Sequence, residues 1–309
     1  MDMTGAKRPE ADRNPEKMAQ LAASLHDIAM FEIIRFPFDV TVLGEAMGCE
    51  IDPGTKARTP AVISHPLKDI LRNPSEKINL PEDLLQRGRI PIVLEASKIL
   101  REGVGLKVPI VAGLEGPAEL ASDLCGAKAF LKWTIQRPEL VKAIVSMCTD
   151  ACMLYANACL KAGADAVVIA DAVASPDMIG PDIFRKFVKP ELTRLAKNID
   201  GHSIIHICGT IDSIIPDLLD CDFNAISADE NVKDLKHVVD LAHKNNTVVI
   251  GNISTSDTLF NKKPEDVRKE AIDCLRSSVD ILAPGCGVAP ETSLENLLMM
   301  VKARDEYTT

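Results

Sequence analysis

Short runs of β-branched residues recur along this chain, and an amphipathic stretch of helical character follows each one. Seven such runs read as strands: residues 32–36, 109–112, 166–170, 203–207, 224–227, 247–251 and 279–283. They are apolar throughout rather than alternating, as strands buried on both faces are. Helix starts fall between them. Asn14-Pro15-Glu16 offers an N-cap, a proline at the first helical position and an acid in the first turn. Similar starts stand at Pro81-Glu82-Asp83, Gly116-Pro117 and Pro264-Glu265-Asp266, and a long helix over 138–162 stops at Gly163. Strands alternating with helices specify a parallel sheet with right-handed crossovers. The strand spacing predicts a (β/α) barrel, one domain over residues 1–309. No G-x-G-x-x-G follows a strand, which removes the main support for an open dinucleotide-binding sheet.

A closed barrel of this type has eight strands, and seven are legible. Residues 51–78 are polar and loop-like and offer no eighth. The expectation is therefore an N-terminally shortened barrel that lacks the first strand. Composition removes other classes. With 46% hydrophobic and 26% charged residues the chain is neither disordered nor a small disulfide scaffold. A net charge of −10, from 35 Lys and Arg against 45 Asp and Glu, makes nucleic acid and anionic lipid poor partners. The apolar runs at 166–170, 203–207 and 248–250 fall well short of the ~18–20 residues that span a bilayer. The first residues contain no apolar segment of the signal-peptide kind. Nine cysteines, an odd number, point to reduced thiols and a cytoplasmic location.

In a barrel, chemistry sits at the C-terminal ends of the strands. There the chain reads Ser203-Ile204-Ile205-His206-Ile207-Cys208-Gly209. With a side-chain period of two, His206 and Cys208 face the same way. A second strand end reads Ile281-Leu282-Ala283-Pro284-Gly285-Cys286-Gly287, and places Cys286 between two glycines. One imidazole and two thiols at the mouth form a three-ligand zinc site with an open fourth position, which is catalytic geometry. A His-x-Cys pair alone is more often core packing; the Cys286 strand end is what raises it above that.

Other polar residues at strand ends are candidates. Glu115 and Asp171 are expected to take catalytic parts, and Ser175, Asn252 and Glu230 to contact the cofactor or substrate. A carboxylate among them can hold the zinc when no thiol is bound, or orient His206. Asp171 and Asp229 also read simply as caps for loop amides. Cys148, Cys152 and Cys159 share a helix stripe with Tyr155 and read as core. Cys49, Cys125, Cys221 and Cys274, and the scattered His26, His65, His202, His237 and His243, have no partner at metal-ligand spacing.

The His-x-Cys…Cys pattern resembles the zinc motif of the methylcobamide:coenzyme M methyltransferases, within the uroporphyrinogen decarboxylase superfamily of (β/α)8 barrels. Residues 43–50 (LGEAMGCE), 84–91 (LLQRGRIP), 170–177 (ADAVASPD), 251–254 (GNIS) and 282–290 (LAPGCGVAP) are similar as well. The likeness covers essentially the whole chain. It departs at the front, where residues 1–12 resemble the loop after the family's first strand.

The resemblance implies a (β/α)8 TIM barrel of the uroporphyrinogen decarboxylase type without its first strand. It implies Zn2+ on His206, Cys208 and Cys286. It implies an enzyme of methanogenesis that moves a methyl group from a methylated corrinoid protein to the thiol of coenzyme M, 2-mercaptoethanesulfonate. The chemistry explains the metal. A free alkyl thiol has a pKa near ~8.5 and only its thiolate attacks well; metal coordination deprotonates it. Alternatives are uroporphyrinogen decarboxylase itself, a methyltransferase for another acceptor such as homocysteine or a folate, or an inactive paralog that only binds a corrinoid protein. The decarboxylase reading leaves the metal donors unexplained, and the family's arginine-rich front end is absent. A sulfonate also needs a cation or a helix N-terminus, and the sequence alone does not say which Lys or Arg faces the mouth.

Overall fold

A computed structural model describes residues 4–68 and 79–308. Seven parallel strands build its main sheet: β1 (Ile34–Phe36), then β4 (Ile110–Glu115), β5 (Ala166–Ala170), β6 (His202–His206), β7 (Ala225–Ser227), β8 (Val248–Ile253) and β9 (Ile281–Pro284), in that spatial order. Each of the seven expected runs contributes one strand. β4 and β8 run further than expected and take Glu115 and Asn252 into the sheet. The sheet is curled in the manner of a TIM barrel. Its two edges are β1 and β9, and among the described residues no ladder joins them. Glu32, just ahead of β1, instead forms an ion pair of 2.7 Å with Arg304 of the helix Leu294–Thr308.

Register levels the strand ends. Glu115 pairs with Ala170, Ala170 with His206, His206 with Ser227 and Ser227 with Ile250. One rung of the sheet therefore carries the C-terminal ends of four strands, β4 to β7, and β8 continues three residues beyond it, so the loops that follow share one mouth. His202 begins β6 and lies at the opposite end from His206.

Helices cover the outer face because their apolar stripes match the outward Val and Ile side chains. Val167 and Ile169 of β5 are completely buried, each worth roughly 1.5–3 kcal/mol against exposure. The longest helix, Pro138–Lys161, buries Cys148, Cys152, Tyr155 and Cys159 in one stripe. Among the described residues it is the one helix long and apolar enough to cross a membrane, although its individual apolar runs are short. Here it is a core element. Cys152 donates its S–H to the Glu115 carbonyl oxygen at 3.2 Å, fastening the helix beneath the end of β4.

Two local expectations differ from the structure. Within 51–78, residues read as loop include a small antiparallel ribbon, β2 (Ile51–Asp52) with β3 (Ala61–Val62). Two-residue strands carry no periodicity to read. The ribbon is set by its turn, where Asp52 accepts from the Gly54 amide at 2.9 Å and pairs with Arg58 at 2.8 Å. The rest of that segment, 69–78, lies outside the described residues. The start at Pro81-Glu82-Asp83 yields only a 3-10 turn, Leu84–Gln86, and the α-helix begins at Ile90. Tertiary charge decides this. Arg89 is 1% exposed and is gripped by Asp39 at 2.9 and 3.0 Å, Glu45 at 2.6 Å and the Thr41 hydroxyl at 2.7 Å. The chain must break at Arg89 to turn that side chain inward. By contrast, Asn14 caps the helix Pro15–Ala29 as expected, accepting from the Lys17 amide at 2.8 Å.

Candidate metal centre

His206 is the last residue of β6, and the strand's pleat carries Cys208 to the same side two residues later. Cys286 arrives from the loop after β9. Cys208 Sγ lies 3.3 Å from His206 Nε2 and 3.6 Å from Cys286 Sγ. These separations fit a tetrahedral zinc ion, because bonds of about 2.0–2.3 Å place neighbouring donors roughly 3.5–3.8 Å apart. The His206 Nδ1 is 3.1 Å from the Ser227 carbonyl oxygen on the next strand. A carbonyl oxygen only accepts, so Nδ1 carries the proton and Nε2 keeps its lone pair toward the sulfurs.

The two sulfurs divide their charge unequally. The hydrogen bond from Cys208, with the His206 ring beside it, holds the Cys286 thiol well below its ordinary pKa. Sharing that hydrogen with Cys286, and burial, push Cys208 up. Without a cation the pair keeps one proton, and the proton is what a metal would displace.

A fourth candidate donor lies beside these three. Asp229 offers a carboxylate oxygen, and the ligand atoms of His206, Cys208, Asp229 and Cys286 all lie within 4.8 Å of one another. Asp229 Oδ1 accepts from the Asn231 amide at 2.8 Å and its side chain at 2.6 Å, so the expected capping role is present. Its Oδ2 makes no hydrogen bond among the described residues. Sequence reasoning assigned the carboxylate of this loop to Glu230 instead. One residue of parity separates the two. Ser227 pairs with His206, so Asp229 stands two beyond Ser227 as Cys208 stands two beyond His206. Glu230 faces away, accepting from the Thr255 amide, from the Thr255 hydroxyl at 3.0 Å and from the Ser256 hydroxyl at 3.2 Å. The register was the signal that finds Asp229.

The remaining candidates are at the mouth but committed elsewhere. Asp171 is completely buried, and its oxygens accept from the amides of Ala118 at 2.9 Å, Glu119 at 2.8 Å and Ala174 at 3.3 Å. It caps the helix Pro117–Cys125, and Glu119 reciprocates by accepting from Val173 at 3.0 Å. Gly116 must be glycine here, because a Cβ would sit 2.3 Å from the Asp171 Cβ. Glu115 accepts from the Leu43 and Gly44 amides at 2.9 and 3.3 Å through Oε1 alone, leaving a buried Oε2 without a partner. Burial pushes both carboxyls up to about 7, helped for Asp171 by the Glu119 charge. Asn252 donates to the Asp229 carbonyl at 3.0 Å, behind the donor cluster. Ser175 caps a short helix through the Asp177 amide at 3.3 Å, and its Oγ would stand 3.0 Å from a Cβ on Gly209, beside Cys208.

Comparison with known proteins places this architecture. The family profile of uroporphyrinogen decarboxylase (URO-D) matches residues 1–307. The chain belongs to the uroporphyrinogen decarboxylase family. Within that family it is 45% identical to the methylcobamide:CoM methyltransferase MtaA of Methanosarcina barkeri, over 99% of this chain and 89% of the relative. It is 31% identical to a methylated-thiol–coenzyme M methyltransferase of Methanosarcina mazei, over 99% of this chain and 81% of that one. A solved methyltransferase from Methanosarcina mazei superposes with a TM-score of 0.96 at 45% identity, covering all of this chain and 90% of its own. These family members are methyltransferases along the length that carries His206, Cys208 and Cys286.

Proposed function

We propose that this chain moves a methyl group from a methylated corrinoid protein to the thiol of 2-mercaptoethanesulfonate, coenzyme M, with Zn2+ as its resident metal. The observation that carries the reading is the meeting of His206 Nε2 with the sulfurs of Cys208 and Cys286 at metal-donor spacing. The relatives support the acceptor. Two named for different methyl sources, a methylcobamide and a methylated thiol, share coenzyme M in their names.

His206, Cys208 and Cys286 are the three donors that would hold the ion. Bound there, zinc would keep an incoming substrate sulfur as its thiolate near neutral pH. Asp229 would supply a carboxylate oxygen beside these three donors when no thiol is bound. The thiol proton leaves to solvent. The substrate sulfur then attacks the methyl carbon, a sulfur–carbon bond forms, and the carbon–cobalt bond breaks with its electron pair on cobalt. Cobalt(III) becomes cobalt(I), and no outside reductant is needed. Ser175 and Asn252 border the donor cluster. Glu115 and Asp171 fix the loops that frame the mouth, and orientation of this kind contributes up to ~7–11 kcal/mol in favourable systems.

Metal analysis and methylation by free methylcobalamin test the reading together. The purified chain is expected to hold about one zinc and to methylate 2-mercaptoethanesulfonate, and Cys286→Ala to lose most of both. Unchanged zinc in Cys286→Ala overturns the ligand set. A zinc-loaded chain that methylates no thiol overturns the activity.

A further inference from the structure

We propose that Arg35 is the anchor for the anionic end of the thiol substrate. The inference rests on the acceptor reading above, which supplies a thiol with a sulfonate two carbons away, and it names the cation that such a molecule requires.

The placement follows from β1. Its three residues are Ile34, Arg35 and Phe36, and the two apolar ones are 1% and 0% exposed. Ile34 and Phe36 therefore fill the layer between sheet and helices, and the pleat sends Arg35 to the inner face. Gly113 on the neighbouring strand makes the room. A Cβ there would stand 3.6 Å from Arg35 Nη2 and 3.7 Å from Nε, so the guanidinium lies across a position that has no side chain.

Charge then singles Arg35 out. Arg35 is exposed between its two buried neighbours, and the charged groups that bear on it are the sulfurs of Cys286 and Cys208. Among the described residues Arg35 makes no hydrogen bond and no ion pair. Arg89, Arg101, Arg185 and Arg194 each meet at least one carboxylate. Arg35 thus keeps its five donors in a planar fork over Gly113, which pairs through Val168 with Ile204, two residues before His206. A sulfonate is anionic at every accessible pH and presents three acceptor oxygens, which suits a bidentate guanidinium. A substrate whose sulfur joins Cys208 and Cys286 brings its sulfonate to a cation within the same electrostatic neighbourhood.

The experiment compares wild type with Arg35→Gln and Arg35→Lys. Zinc content is measured first. Binding of 2-mercaptoethanesulfonate and of uncharged 2-mercaptoethanol is then followed by calorimetry, and KM for each with free methylcobalamin. Arg35→Gln is expected to weaken binding of the sulfonate thiol and raise its KM about 10- to 100-fold, as loss of a charged hydrogen-bond pair does. Binding of 2-mercaptoethanol should change little, and Arg35→Lys should recover part of the loss. Ethanesulfonate, which has no thiol, should compete in wild type and not in Arg35→Gln, whatever the metal content. Equal losses for both thiols would mean that Arg35 serves the protein sulfurs, and would overturn the proposal. So would unchanged sulfonate binding in Arg35→Gln while wild type prefers the sulfonate thiol. A wild type without that preference overturns the acceptor reading itself.

Discussion

The Cys208 and Cys286 sulfurs stand 3.6 Å apart although 78 residues separate them in the chain. Of the nine cysteines, these two are partly exposed and the other seven are buried. Burial also pushes the pKa of Cys49 and Cys125 up to about 12. Only a thiolate reacts readily with a disulfide reagent. The metal-free native protein is therefore expected to titrate one thiol quickly, Cys286, with Cys208 following more slowly because it keeps the shared proton, and the seven buried thiols only on unfolding. Added zinc should suppress the fast phase. A fast phase of the same size with zinc present would place the ion elsewhere.

Asp229 carries the second expectation. If its free oxygen completes the donor group, Asp229→Asn should keep the fold and bind zinc roughly 10- to 100-fold more weakly. Competition with a chromophoric chelator measures this. An unchanged affinity would reduce Asp229 to its cap on Asn231.

Glu115 makes a pH-dependent prediction. Its carboxyl lies at about 7 in the folded chain against 4.5 ordinarily, because it is buried. The folded state therefore binds the proton more tightly, and stability contributed by the neutral carboxyl is present below about 4.5 and drains away as pH rises to about 7. Glu115→Gln keeps the amide-accepting oxygen and cannot ionise. Between about pH 5 and 8 the stability difference should shift toward the variant by up to roughly 3 kcal/mol. Urea denaturation at several pH values gives the number, and a flat difference would show that Glu115 is ionised throughout.

Arg89 is a structural prediction. Its guanidinium is buried against Asp39 and Glu45. Although burial raises the Asp39 pKa, the Arg89 hydrogen bonds and charge overcome it and hold that carboxyl low. Arg89→Met leaves the buried Asp39 carboxylate with only Thr41 at 2.6 Å and the more distant Arg8 at 3.6 Å, at a cost of roughly 3 kcal/mol. A loss below about 1 kcal/mol in denaturant titration would mean that water reaches Asp39.

Strand order, the helix caps and the convergence of His206, Cys208 and Cys286 were legible because they rest on period, turn chemistry and parity. Those signals are local. What escaped depends on register and on charge brought from afar. Glu230 was preferred to Asp229 because the parity of a loop shows only once its strand is paired with β6. Asp171 and Glu115 looked like reacting groups because position in a strand end does not reveal which amides a carboxylate will meet. Arg35 sits in an apolar tripeptide whose sequence does not say which face looks inward. The helix start at Pro81 lost to Arg89, whose partners lie 50 and 44 residues away.

The four residues of the candidate metal group all come from β6 or the loops after β6, β7 and β9, whereas Arg35 and Glu115 lie in β1 and β4 and Asp171 just past β5. On the function proposed above, the ring divides into one arc that would grip the ion and another that would steer the substrate. A protein that fills with its ion has vouched for only the later arc, and a dead but fully loaded variant is the signature to look for when the earlier one is at fault.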